Sequence, residues 1–202
     1  MQKVLEDIIT IHGSVVFNGD GYSEDWQIEA AARGLPNLRT TLDALPELVS
    51  ESALDLFGRY GVFSDREMHS RYEIALEHYA LSVMVEARLT LEMGSTVVLP
   101  AAMRYQTELA KNVAALKAVG VEAHTAMLTD VSDRLAALTT GLATLRSALG
   151  HNGVSTTLGE AEHARDMLPM MSSVRAAADA LEELVADDLW PLPTYQEMLF
   201  IR

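Results

Sequence analysis

Glu160 and His163 have the residue types and the spacing that could support metal chemistry. The Glu-x-x-His pattern supplies ligands in di-iron helical bundles, but such a site needs two of these motifs and a glutamate from each of two further helices. The sequence contains no second Glu-x-x-His. A solvated helix face is therefore the favoured interpretation of this motif, and we assign no metal ligand to it.

A glycine-rich loop over 18–23, with the sequence Asn-Gly-Asp-Gly-Tyr-Ser, is the second candidate metal site. A calcium loop of the EF-hand type needs alternating acids, a glycine at its sixth position and a glutamate at its twelfth. Counting from Asn18, the sixth position is Ser23 and the twelfth is Glu29. The missing glycine and the sparse acids favour a structural turn, and no phosphate-binding pattern follows it.

The histidines do not form a catalytic group with other residues. His69 and His78 are nine residues apart on one predicted helix, so their side chains point in opposite directions at 100° per residue. Three more lie near predicted helix ends or turns, without an evident partner: His12, His124 and His151. Nothing places a serine beside a histidine, and the chain has no cysteine. We therefore expect no catalytic, cofactor-binding or metal-binding residue in this chain.

Composition and charge limit the partners. The 202 residues are 49% apolar and 22% charged, which is typical of a folded domain. The formal net charge of −14 disfavours binding to nucleic acid and to anionic membrane surfaces. The absence of cysteine excludes disulfides and is consistent with the reducing cytoplasm, where we expect the protein to be located.

The stretch over 64–106 is predicted to be the central helical region. Ser64 followed by Glu67 forms a capping box, which marks the helix start. One helical face carries seven residues at spacings of three and four: Met68, Tyr72, Ala75, Tyr79, Val83, Ala87 and Thr90. A second apolar row carries Ile74, Leu81, Val85 and Leu89. Two apolar faces predict neighbouring helices on both sides.

Two later helices are predicted to form an antiparallel pair. The first carries a leucine-rich seam with alternating spacings of three and four: Leu128, Val131, Leu135, Leu138, Leu142, Leu145 and Leu149. The second, about 156–186, has the same spacing, and Pro169 should kink or divide it. The fold class expected is all-α, an antiparallel helical bundle with long helices preceded by an irregular helical connector.

The expected domain organisation is a connector over 1–63 and a helical bundle over 64–202 that ends in an aromatic tail. The connector begins with a short amphipathic helix, about 1–12, whose apolar side must dock on something. The tail is too apolar for a loose end and should lie in a groove on the protein or on a partner. Six aromatic residues are the candidate docking residues: Phe17, Tyr22, Trp26, Trp190, Tyr195 and Phe200.

Several segments resemble the C-terminal part of type III glutamine synthetase, the large form of that enzyme. They occur in family order and span nearly the whole chain, although 107–165 is similar only in helical character. The matching segments are Val16–Ser23 with Trp26, Gly34–Thr41 with Asp43–Pro46, Ser70–Ile74, and Trp190–Tyr195 with Met198–Phe200.

The resemblance implies an enzyme that condenses glutamate and ammonia to glutamine with ATP and a divalent metal, in a ring-based oligomer. The catalytic domain of that family lies upstream, and its metal, ATP and substrate motifs have no counterpart here. ATP and Mg²⁺ are therefore expected only in the catalytic domain of the parent enzyme. The helix over 1–12 would correspond to the end of the catalytic region, so the sequence is either part of a longer chain or a separate C-terminal domain.

The leading hypothesis is a non-catalytic domain with structural, oligomeric or regulatory roles. Its partners would be the catalytic domain of the same enzyme, sister subunits of a homo-oligomer, or both. One alternative is a free-standing helical adaptor that binds protein partners through its leucine seam. A self-contained enzyme is a third class, which no group of residues supports.

Overall fold

The computed structural model describes residues 2–151, 155–193 and 195–200, without the side chains of Tyr195 and Gln196. Every regular element in these residues is helical, which confirms the all-α prediction. The chain divides into two compact units, 1–44 and 45–202. The predicted organisation, with a connector ending at residue 63, remains a prediction.

The first unit contains three helices joined by turns: α1 (Gln2–His12), α2 (Glu24–Ala32) and α3 (Thr41–Ala44). A short 3₁₀ turn, Gly13–Val15, follows α1. The start of α2 is fixed by Ser23, whose hydroxyl accepts a hydrogen bond from the Trp26 backbone N–H at 3.3 Å. Ser23 is therefore the N-terminal cap of α2.

The second unit contains the long helices. Its elements are a 3₁₀ turn (Leu45–Val49), α4 (Glu51–Arg59), α5 (Asp65–Met93), a π-helical turn (Gly94–Val98), α6 (Leu99–Ala118), α7 (Ala126–Leu149), α8 (Thr157–Glu182), a 3₁₀ turn (Asp187–Leu189) and α9 (Tyr195–Leu199). The chain passes from α5 to α6 through the π turn without leaving the helical conformation, with Pro100 in the first turn of α6.

The capping box at the start of α5 is formed. The Ser64 backbone N–H donates to Glu67 Oε2 at 2.8 Å, and the Glu67 backbone N–H donates to Ser64 Oγ at 3.4 Å. The backbone hydrogen bond from Ser64, followed by that from its hydroxyl, lowers the pKa of Glu67 below its ordinary value. The carboxylate is thus better stabilised in the folded chain than in the unfolded one.

The core of the second unit forms where the seam of α7 meets α8 and the inner face of α5. The central seam positions are all buried, as predicted: Val131, Leu135, Leu138, Leu142 and Leu145. From α8 the core receives Met167, Val174 and Leu181, and from α5 it receives Ala87. The same inner face of α5 also buries Met68, Leu76, Ala80 and Val83.

Two contacts show that α7 and α8 run antiparallel, as predicted. Near one end, His163 Nε2 lies 3.1 Å from the Ala148 backbone oxygen. Further along, Gly141 faces Val174 so closely that an added Cβ would lie 3.2 Å from Val174 Cγ2. Gly141 thus permits a close approach of the two helices.

Of the two outcomes expected at Pro169, a kink or a division of the helix, division does not occur, since α8 continues through the proline from Thr157 to Glu182. The kink remains a prediction. The proline removes one backbone donor and strains the preceding turn. Packing against α5 and α7 along the whole of α8 compensates, because Met167 and Val174 are both buried on either side of the proline.

The expectation that both apolar faces of α5 are covered is also wrong for this chain. Ile74, Leu81, Val85 and Leu89 are all exposed, and we call this row the outer row of α5. The helix packs on its neighbours through its inner face, and none of these four residues belongs to the buried core.

Truncating a leucine to alanine should have a large effect on stability on the inner face of α5 and a small effect on the outer face. Leu76 is 1% exposed, so Leu76→Ala should lower the free energy of unfolding by about 2–5 kcal/mol. Leu81 is 67% exposed, so Leu81→Ala on the same helix should change it by less than about 0.5 kcal/mol. Urea denaturation followed by circular dichroism measures both, and equal losses would contradict this assignment of faces.

The lowered pKa of Glu67 predicts a pH-dependent contribution to stability. A carboxyl group whose pKa is lower in the folded state stabilises that state above its unfolded pKa, and this contribution disappears as the pH falls through the folded pKa. Glu67→Gln keeps a capping side chain but cannot ionise. The stability advantage of the wild type over this variant should therefore shrink between about pH 6 and pH 3.

Urea denaturation of both proteins across this pH range tests the effect. The variant Glu108→Gln, on the exposed side of α6, controls for the general loss of one negative charge. A wild-type advantage over Glu67→Gln that stays constant with pH would show that Glu67 does not titrate as proposed.

Candidate functional site: exposed apolar faces and aromatic anchors

Two of the predicted docking residues, Phe17 and Trp26, contact each other in the first unit. Their ring centroids are 4.7 Å apart and their planes are tilted by 43°. The Arg33 guanidinium lies 5.8 Å from the centre of the Trp26 ring, and its Nε pairs with Glu29 at 2.7 Å. Both aromatic rings are half-buried, so this cluster anchors the loop after α1 onto α2.

The side chain of Tyr22, by contrast, packs on none of the residues that the structure describes. Its side chain is 99% exposed, while its backbone N–H donates to Asp20 Oδ1 at 2.9 Å. The Ser23 backbone N–H also donates to the Asp20 backbone oxygen at 3.1 Å. The carboxylate of Asp20 thus organises the turn that presents Tyr22 to solvent.

The first residues of the aromatic tail pack on the helical bundle of the same chain. Trp190 and Leu192 are half-buried and pack against the core, beside a groove of about 830 Å³ between α5 and α8. The Trp190 indole nitrogen is buried without a hydrogen-bond partner among the described residues. Phe200, further on, is 68% exposed, and the Tyr195 side chain lies outside what the structure describes. A docking role for the six aromatic residues remains a prediction.

Glu160 and His163 lie beside a second groove, of about 550 Å³, which α5 and the α7–α8 end of the bundle form. The His151 ring lies near that of His163, with centroids 5.7 Å apart and planes tilted by 49°. Glu77 and Arg88 of α5 complete the polar lining. Among residues 2–151, 155–193 and 195–200, no three histidine or acidic side chains are grouped so that they could hold a metal ion. The geometry therefore gives the Glu-x-x-His motif no further ligands from this part of the chain.

The first exposed apolar face is on α1. This helix buries none of its residues, although one side of it carries Val4, Leu5, Ile8 and Ile9, as predicted. No helix in the described part of the chain has the length and hydropathy needed to cross a membrane. The exposure of these four aliphatic side chains marks this side of α1 as a candidate docking face.

The second exposed apolar face is the outer row of α5. Its four side chains are 52–67% exposed and lie on the longest helix of the structure. Glu77 and Arg88, also exposed, border the row. The spacing of these residues predicts the row, but the expected neighbour is another helix of the same bundle. The charges of Glu77 and Arg88 are the sequence signal for an exposed row, since charged side chains are rarely buried.

Comparison with known proteins agrees with the family resemblance. Residues 1–117 match the family model described as "Glutamine synthetase C-terminal domain". A type-3 glutamine synthetase of Dictyostelium discoideum is 34% identical over 218 aligned positions. Glutamine synthetases of Butyrivibrio fibrisolvens and Bacteroides fragilis are 32% and 29% identical.

Each of these alignments covers 99% of this chain but 29% of the relative. The chain thus corresponds to less than a third of each relative. The family match covers more than half of the chain, and the first two relatives exceed 30% identity along nearly all of it. The chain therefore belongs to the glutamine synthetase C-terminal domain family and corresponds to the C-terminal part of a type-3 glutamine synthetase.

Proposed function

We propose that the chain is a non-catalytic structural domain of a type III glutamine synthetase. In this proposal it contacts the catalytic domain through the first unit and the aromatic tail, and sister subunits of a homo-oligomer through the helical bundle. The parent enzyme would make glutamine from glutamate and ammonia with ATP and Mg²⁺, which its catalytic domain would hold. We place it in the cytoplasm, consistent with the absence of cysteine.

The observation that carries this proposal is that α1 is amphipathic yet buries no residue. A helix of 11 residues is only marginally stable in water unless its apolar side is packed. Covering a large aliphatic side chain contributes about 1.5–3 kcal/mol, so Val4, Leu5, Ile8 and Ile9 represent a substantial unused stabilisation. Most of the length of the relatives lies outside the match and would supply the covering surface.

The geometry does not support the adaptor alternative. An adaptor that binds partners through its leucine seam needs that seam to be accessible. Leu138, Leu142 and Leu145 are instead buried between α7, α8 and α5 within the same chain. Exposing them would require unfolding the second unit.

A test of the contact with the catalytic domain uses the full-length synthetase. Ile8→Asp should lower the thermal midpoint of the assembled enzyme by about 3 °C or more, because it places a charge in the docked face. Thr10→Asp adds the same charge to the opposite, polar side of α1 and should leave the midpoint unchanged. Differential scanning calorimetry measures both, and equal midpoints for the two variants would contradict docking through α1.

A second test concerns catalysis. The 202-residue chain, supplied with ATP, Mg²⁺, glutamate and ammonia, should form no glutamine above the protein-free rate, while the full-length synthetase measured in parallel should. Glutamine formation by the chain alone, detected by chromatography, would show that the domain is itself catalytic.

A further inference from the structure

We propose that the outer row of α5 is a self-association surface, which packs antiparallel on α5 of a second copy of this chain. The inference rests on the proposed function, since it specifies the surface through which the bundle meets a sister subunit. It follows from three features of α5: an exposed apolar row, a pair of bordering charges, and the symmetry of their positions.

The apolar row is long, and the helix that carries it is held in a fixed orientation. The row consists of Ile74, Leu81, Val85 and Leu89, and its two ends are 15 residues apart, which is about 22 Å of helix. The opposite side of α5 is fixed by its buried contacts with α7 and α8, so the row is presented on a helix that cannot rotate to hide it. A row of this kind is a helix-packing surface that no described residue of the chain covers.

The bordering charges cannot satisfy each other within one chain. Glu77 and Arg88 are 11 residues apart, or about 16 Å along the helix. Neither has an ion-pair partner among the side chains that the structure describes. At 100° per residue they lie within roughly 20° of each other around the helix, so both are on the same edge of the row.

Two pairs of positions on α5 are complementary under two-fold symmetry: Leu81 with Val85, and Glu77 with Arg88. The midpoint between Leu81 and Val85 falls at position 83, six residues from Glu77 and five from Arg88. Consider two antiparallel α5 helices that face each other, with a two-fold axis between them at the level of this midpoint. The axis is perpendicular to both helices and to the line that joins them. Rotation about it leaves the edge that carries Glu77 and Arg88 on the same side of the interface in both copies. Leu81 then lies opposite Val85 of the second copy. Glu77 lies opposite Arg88 of the second copy, with an offset of about 1.5 Å along the helix axis. Symmetry forms each of these pairs twice.

Charge complementarity is the reason for choosing a second copy as the occupant. On α5, Glu77 and Arg88 lie at nearly equal distances from position 83, so a second copy presents the opposite charge to each of them. A different protein would need an arginine and a glutamate at the same spacing. The net charge of −14 opposes association of two copies, but at 0.15 M salt charges beyond about 8 Å are screened. Four apolar side chains per copy are fewer than a standard interface uses, so the contact should be weak in the isolated chain.

The test is sedimentation equilibrium of the 202-residue chain at concentrations up to about 1 mM in 0.15 M NaCl. The wild type should show a monomer–dimer equilibrium. Glu77→Arg or Arg88→Glu should each raise the dissociation constant about tenfold, because each places like charges opposite each other twice. The double variant Glu77→Arg/Arg88→Glu should restore it to within about threefold, because the pairs re-form with their signs exchanged.

Matched controls separate this pairing from a general effect of net charge. Glu108→Arg and Arg104→Glu make the same charge changes on exposed positions of α6 and should leave the dissociation constant unchanged. Leu81→Asp should abolish association while keeping the wild-type circular dichroism spectrum, since its side chain is exposed.

Three results would overturn the inference: a wild-type chain that stays monomeric up to about 1 mM, a Leu81→Asp variant that still dimerises, or a double charge variant no better than the single ones. The proposed function fails separately, through the thermal midpoint of the Ile8→Asp synthetase, because Ile8 lies on α1 and α5 is untouched there.

Discussion

The burial of the α7 seam against α8 and α5 is the interaction on which the second unit depends. Leu138 and Leu145 are completely buried, and they belong to one hydrophobic cluster with Met167 and Leu181 of α8 and Ala87 of α5. Dispersion and the removal of apolar area from water act together here, because the helices are close enough to interdigitate. Gly141 contributes by having no side chain at the place where Val174 approaches most closely.

Much of this arrangement could be predicted from the sequence because its causes are local. The capping box at Ser64 and Glu67 needs only residues three apart, and the seam of α7 needs only a regular spacing. The path of α8 through Pro169 could not be predicted in this way. The local rule penalises an internal proline, while the compensation comes from residues of α5 and α7 that are distant in sequence.

The candidate docking surfaces show what the sequence pattern could not predict, which is the identity of the neighbour that packs on an apolar face. An apolar face on a helix indicates that something packs on it, but the sequence pattern does not distinguish a neighbour in the same chain from one outside it. For α7 the neighbour is internal, and for α1 and the outer row of α5 the described structure leaves the face uncovered. The aromatic residues divide similarly, since Phe17 and Trp26 contact each other while Tyr22 is exposed, and no local signal separates these outcomes.

In the self-association proposed above, the two faces of α5 would couple folding to association. Its inner face is part of the core, so the position of Leu81 and Val85 on the outer face is fixed by the same contacts that stabilise the second unit. A docking surface on a rigid helix loses little conformational entropy when it binds, which favours association even where the apolar area is small. Mutations in the core that shift or rotate α5 would therefore weaken subunit contacts without touching them. In a synthetase that uses this domain as a scaffold, stability of the bundle and assembly of the enzyme would be two consequences of the same packing.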